Sequence, residues 1–249
     1  MRVPVLLFTT LIVGTACGGT DSADATTPVT VFAAASLTEA FTQIAGDYEG
    51  LHGVEIRLSF GPSDGLATQI QEGAPADVFA SASPKWMDAV EEDPGIADRA
   101  DFARNLLVVI VPAGNQAGLR SLDDLSRPGI KLVLAAEGVP VGDYAREMLA
   151  NAGISDDALA NVVSNEDDVK GVVQKVALGE ADAGVVYRTD LTPTVEADLE
   201  EIDVPAGVNV EAVYPIATLA GAPDSAQEFV AYVLGPGQGT LAAAGFLAP

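Results

Sequence analysis

From Val29 onward, short apolar runs alternate with longer stretches in which apolar residues recur every three or four positions. Val29–Ala34 (VTVFAA) is compact and apolar, as a short strand is. Over residues 37–48, Leu37, Phe41, Ile44 and Tyr48 share one helical face. The same patterns predict a strand at 54–60, a helix at 66–72, a strand at 77–80 and a helix over Pro84–Glu92. Residues 106–111 (LLVVIV) are apolar throughout, the mark of a strand buried on both faces. A second series follows, with a short helix at 121–125, a strand at 131–135 and helices at 142–150 and 167–178. A strand at Ala183–Tyr187, a long strand at 210–219 and helices at 226–234 and 240–244 close the chain.

These alternations predict an α/β protein. Two runs of βα units, separated by one long apolar strand and rejoined by another, predict two lobes with two crossover strands and a cleft between them. The crossings are expected near 106–111 and 213–219. One lobe is then discontinuous, from residues 28–107 and 218–249, and the other is 108–217. Inter-lobe clefts commonly hold small ligands.

Charge narrows the partners. Across 249 residues, 12 Lys and Arg stand against 36 Asp and Glu, a formal charge of −24. Such a surface repels nucleic acid and anionic lipid alike. Residues 1–27 read as a leader and polar linker: Arg2 precedes an apolar run from Val3 to Val13, too short to span a bilayer. Gly14-Thr15-Ala16-Cys17 resembles a bacterial lipoprotein signal, although such signals usually carry Leu where Gly14 stands. The resemblance implies export and a lipid anchor at Cys17, on the outer face of the cell membrane or in the periplasm. An ordinary secretory signal with an incidental cysteine is the other reading, and it too implies export. Cys17 is the chain's one cysteine, so no intramolecular disulfide or thiolate metal site is expected.

Gly61-Pro62-Ser63-Asp64-Gly65 matches G-x-S-x-G, the nucleophile elbow of serine hydrolases, and sits between a predicted strand and helix. A serine nucleophile needs a base, which in that fold is a later histidine. The only histidine, His52, lies 11 residues before Ser63, and the four lysines form no Ser-x-x-Lys pattern. An esterase using Ser63 is therefore a remote alternative, and no catalytic residue is assigned. One histidine and no mature cysteine also leave no typical transition-metal site. Glu91-Glu92 and Asp123-Asp124 read as solvated surface charge. No phosphate-binding glycine loop is present, and Gly235-Pro-Gly-Gln-Gly239 reads as a turn between helices.

The predicted helix starts share a different chemistry. A helix's first N–H groups lack partners and carry partial positive charge, so they bind anions without a basic side chain. Ser36, with Glu39 three residues on, reads as a capping box, and Ser63 opens the second helix. Val139-Pro-Val-Gly-Asp and Asn165-Glu-Asp-Asp-Val open two more, giving two starts in each series. Each follows the C-terminal end of a probable strand, where open α/β sheets bind ligands.

The segments VTVFAAASLTEAF, GAPADVFASASPKWMD, VPVGDYA and GVVYRTD resemble the periplasmic molybdate-binding proteins of ABC transporters, over essentially the whole chain after the linker. The resemblance implies a two-lobed solute-binding protein, monomeric, without cofactor or catalysis, that hands molybdate or tungstate to an ABC permease. Position by position, it implies that Ser36 and Ser63 donate through hydroxyl and backbone N–H, Val141 and Val169 through backbone N–H, and Tyr187 through its phenol. Molybdenum would thus be held as molybdate, through its oxygens, with no direct metal-cation ligand. Asp77, Trp86 and Pro75 are expected to be structural. Molybdate and tungstate only accept hydrogen bonds, which suits neutral donors, whereas phosphate also needs an acceptor. Sulfate shares those needs but is smaller. Two departures stand out: Pro62 removes one donor, and Asp64 replaces a frequent Ser or Thr. Asp64 could repel a dianion, accept a proton from phosphate, or turn away as the cap of its helix. A binding protein of the same fold for sulfate or phosphate is the nearer alternative.

Overall fold

A computed structural model of the protein describes residues 27–249. The expected signal, most of the linker and the Cys17 anchor lie outside the described residues. Among the described residues, nine strands form one continuous sheet in the order β2-β1-β3-β9-β4-β7-β5-β6, with β8 paired to β4. Strand β1 (Val29–Ala34) lies between β2 (Ile56–Gly61) and β3 (Val78–Ala80), parallel to both. Helices α1 (Thr38–His52), α2 (Ser63–Gln71) and α3 (Pro84–Glu92) complete that half. Strand β4 (Ile96–Pro112) then carries the chain across.

Pairing along β4 shows how the two halves join. From Ile96 to Leu106 it runs antiparallel to β9 (Glu211–Leu219), and from Leu107 to Ile110 antiparallel to β7 (Ala183–Tyr187). Its outer end, Val108 to Pro112, also pairs with β8 (Leu199–Asp203). Strand β5 (Leu132–Ala135) lies parallel to β7 and to β6 (Val162–Glu166). Helices α4 (Pro140–Asn151), α5 (Ser155–Ala160) and α6 (Val169–Ala177) belong to this half, and α7 (Asp224–Leu234) and α8 (Gln238–Ala243) return to the first. Leu107 to Val111 are fully buried, as their unbroken apolar character requires.

The sequence-drawn boundary at residue 217 falls inside β9, whose pairing with the first half of β4 already begins at Glu211. Four elements escaped the sequence pattern: the charged first half of β4 (IADRADFARN), β6, α5 and the acidic β8 (LEEID). Each is partly exposed, so none shows the apolar run by which the other elements were read. Among the described residues no helix is long and apolar enough to cross a membrane.

One close approach positions the second half. Helix α6 lies directly on β7 at Gly184, where a Cβ would sit 2.7 Å from Val172 Cγ1 and 2.9 Å from Val176 Cγ2. Both valines are buried and stiff at χ1, so neither can turn away cheaply. Gly184→Ala is therefore expected to destabilise by about 1–3 kcal/mol through overpacking. Thermal unfolding should show a lower midpoint, by about 2–4 °C per kcal/mol in a chain of this size.

Candidate functional site

The C-terminal ends of β1, β2, β5 and β6 each feed a helix start, and the four starts face one cleft. Ser36 lies in a single 3-10 turn (Ala35–Leu37) that precedes α1. Ser63 is the first residue of α2, after Pro62 in extended conformation. Val141 follows Pro140 in the first turn of α4, and Val169 is the first residue of α6. Tyr187 ends β7. All five border one small cavity, of about 20 Å³, and all five are buried. No lysine, arginine or histidine borders it.

The capping box expected of Ser36 and Glu39 is not formed. Helix α1 starts two residues later, its N-cap Leu37 has no side-chain bond, and the Ser36 hydroxyl instead meets Tyr214 Oη at 3.0 Å. With Tyr214 donating, the Ser36 proton is free to point into the cleft. Ser63 Oγ accepts the Ala82 N–H at 3.0 Å, which uses a lone pair and leaves its proton to donate. Tyr187 Oη is buried beside Tyr214 with no hydrogen-bond partner. Burial pushes its phenol well above the ordinary value, with Tyr214 adding to the effect, so it remains a donor at neutral pH. A buried hydroxyl left unpaired is costly, and one aimed at a ligand cavity is ready to pair there.

The backbone donors are fixed by tight packing. A Cβ on Gly142 would lie 2.2 Å from Ala136 O and 2.5 Å from Ala135 O, so only glycine lets α4 start so close to the end of β5. Arg146 braces the same corner, donating to Ala135 O and Gly142 O at 2.8 Å each and to Asn165 Oδ1 at 2.7 Å. Asp168 caps α6 by accepting the Gly171 N–H at 2.9 Å. Asp168 also borders the cavity, which the sequence reading missed, although its place in the Asn165-to-Val169 helix opening was visible.

Asp64 is not a cap. It lies in the first turn of α2, the helix has no side-chain cap bond, and the residue does not border the cavity. Asp77 is structural as expected, its Oδ2 accepting the Thr30 N–H at 2.7 Å. Trp86 does more than fill a core: its indole N–H donates to Gly138 O at 2.8 Å, across the cleft. His52 stacks on Tyr48 and does not border the cavity, so Ser63 has no histidine to activate it. No group of three metal-ligating side chains occurs among the described residues.

Residues 29–247 match the family model of bacterial extracellular solute-binding proteins. The molybdate-binding protein ModA of Mycobacterium tuberculosis is 40% identical over 89% of this chain and 85% of its own length. The periplasmic molybdate-binding protein of Azotobacter vinelandii superposes with a TM-score of 0.76 at 24% identity, covering 89% of this chain and 99% of its own. The sulfate-binding protein SubI of Mycobacterium tuberculosis superposes equally well, with a TM-score of 0.77 at 18% identity over 89% of this chain and 86% of its own. The two superpositions show the fold; the same fold serves two different anions, so the ligand must be argued from the site.

Beneath the cleft, Asp190 is fully buried, and burial pushes its carboxyl up to about 6 while Lys170 opposes the shift. Its ordinary value is 3.8. The native chain therefore holds a proton that the unfolded chain releases between about pH 4 and 6. The stability so contributed is complete below about pH 4 and is lost as pH rises through 6, about 3 kcal/mol in all. Asp190→Asn removes this slope. Denaturant unfolding from pH 4 to 7 should show the variant gaining on the parent by that order; parallel pH profiles would contradict it.

Proposed function

The chain belongs to the bacterial extracellular solute-binding proteins, among the relatives of molybdate-binding protein ModA, and we propose that its cleft captures molybdate and tungstate for an ABC permease. The observation that carries this is the convergence of neutral donors without a cation. Ser36, Ser63, Val141, Val169 and Tyr187 come from both halves of the sheet and border one cavity. A dianion that only accepts hydrogen bonds suits such a set, at about 1.5–3 kcal/mol for each bond to a charged acceptor. Backbone donors at helix starts add the dipole's partial charge without the indiscriminate attraction of an ammonium.

Phosphate makes a different demand. It retains a proton at neutral pH and needs an acceptor, and Asp168, the one carboxylate at the cavity, has Oδ1 taken by the Gly171 N–H and only Oδ2 left to accept. Asp64, the other candidate acceptor, does not border the cavity. Sulfate makes the same hydrogen-bond demands as molybdate, so cavity size must reject it. Binding would proceed by hinge closure: residues 28–106 with 211–249 form one lobe and 107–210 the other, and the anion bridges them. The protein is a transport component and not an enzyme. We further infer, from the small residues before Cys17, that the exported chain is held by a lipid on that cysteine; a monomer is what the resemblance to the family implies.

Calorimetric titration of the chain starting after Cys17, with molybdate, tungstate, sulfate and phosphate, tests this reading. Tight one-to-one binding of the first two, with the others weak, is expected. Phosphate binding with molybdate silent would overturn it. Ser63→Ala should weaken molybdate by about 10- to 150-fold, the equivalent of one charge-assisted bond, and, because it also strands the buried Ala82 N–H, should lower the unfolding midpoint while the fold is retained.

A further inference from the structure

Three residues that touch no anion lie one short step along the chain from three that do. Lys170 follows Val169, Glu39 lies three residues past Ser36, and Asp190 lies three past Tyr187. Their side chains meet: Lys170 Nζ donates to Glu39 Oε1 and Oε2 at 3.0 and 2.9 Å and lies 3.5 Å from Asp190 Oδ1. Asp190 Oδ2 accepts the Tyr187 N–H at 3.2 Å. We propose that Lys170 is the positioning residue that latches the two lobes over the bound oxyanion, anchored from behind by Asp190 and engaging Glu39 across the cleft. The proposal rests on the binding function argued above.

The geometry separates the two contacts. Lys170 and Asp190 belong to the same lobe and stay together when the cleft opens, whereas Glu39 is on the other and must part from them. Asp190 is wholly buried, and Lys170 is its only ion-pair partner among the described residues. Burial pulls the ammonium down, but Asp190 and Glu39 outweigh it and hold Lys170 above its ordinary value, so it stays charged. A buried carboxylate is strongly penalised without its partner, so Asp190 keeps the Lys170 side chain aimed at the gap.

Two carboxylates around one ammonium leave the cluster net negative, so it cannot serve as a cationic ligand for the anion. What it can do is set the spacing of α1 and α6, and with it the reach of Ser36 and Val169 to one molecule. The opposite lip has its own bridges, Trp86 to Gly138 O and Lys85 Nζ to Asp143 Oδ2 at 3.0 Å. The two ion pairs differ in which partner is exposed, Lys85 58% and Asp143 35% against Lys170 31% and Glu39 50%; what sets the Lys170 pair apart is the buried Asp190 behind it.

Trp86, the chain's single tryptophan, reports closure through its fluorescence. Stopped-flow measurement of molybdate release from the parent, Glu39→Gln, Lys170→Met and the double variant tests the latch. Glu39→Gln leaves the buried Lys170–Asp190 pair intact, so its fold is expected to hold. It should speed release by about 3- to 10-fold with little change in association, and the double variant should release no faster than Lys170→Met alone. Unchanged release from Glu39→Gln, or additive effects in the double variant, would overturn the latch. Should the parent bind no molybdate, the ligand reading falls, and the latch is judged on ligand-free small-angle scattering. A larger radius of gyration in Glu39→Gln then supports it, and an unchanged radius overturns it.

Discussion

The site depends on helix starts whose N–H groups are left unpaired by their own helices. A helix supplies such groups wherever it begins, but a single start faces water and is satisfied by it. Four starts facing one cleft are a different matter, because each removes water from the others. That convergence needs every feeding strand to end at the same edge of the sheet. The parallel order of β2, β1 and β3 meets the requirement on one side, and that of β6, β5 and β7 meets it on the other. Strands β9 and β4, antiparallel to their neighbours, hold the two sets together and turn the edges toward one another.

Close backbone packing then converts topology into donor positions. Gly142 lets α4 begin against the carbonyls that end β5, and Gly184 seats α6 on β7. Neither glycine is at the cleft, yet both set where Val141 and Val169 present their N–H groups. The side-chain donors are tuned by distant partners in the same way. Tyr214, on β9, engages Ser36 from the first lobe and packs edge-on to Tyr187 from the second, with ring centres 5.7 Å apart. A strand that joins the lobes thus also supports one donor from each.

Much of this arrangement was legible in the residues. Apolar periodicity gave most of the alternating elements and Pro84–Glu92 to the residue, and the capping motifs marked the four helix starts that the fold brings to one cleft. What sequence could not supply were interactions between residues far apart in the chain. Ser36-Leu-Thr-Glu39 has every local mark of a capping box, but Ser36 meets a tyrosine 178 residues away and Glu39 a lysine 131 residues away. Local propensity lost to tertiary partners. Trp86 was expected only to be structural; the position of Gly138 in the other lobe is what makes its N–H a cross-cleft bond. The Asp64 ambiguity was likewise one of direction, since a first-turn aspartate looks the same in sequence whichever way it turns.

The same constraint bears on selectivity. Donors drawn from the backbone cannot be exchanged by mutation, so the hydrogen-bond character of the cavity is fixed by where helices begin, while side chains at those positions are free to change. Val141 and Val169 border the cavity, and in the proposed site they would act through their N–H groups. Discrimination among dianions of like hydrogen-bonding habit must then come from spacing. Spacing is set by how far the lobes close, which returns the question to the contacts at the lips. On the function proposed above, such a pocket would separate recognition into two parts: the helix starts would select an anion needing only donors, and the closing contacts would select the size of anion that completes the closed form.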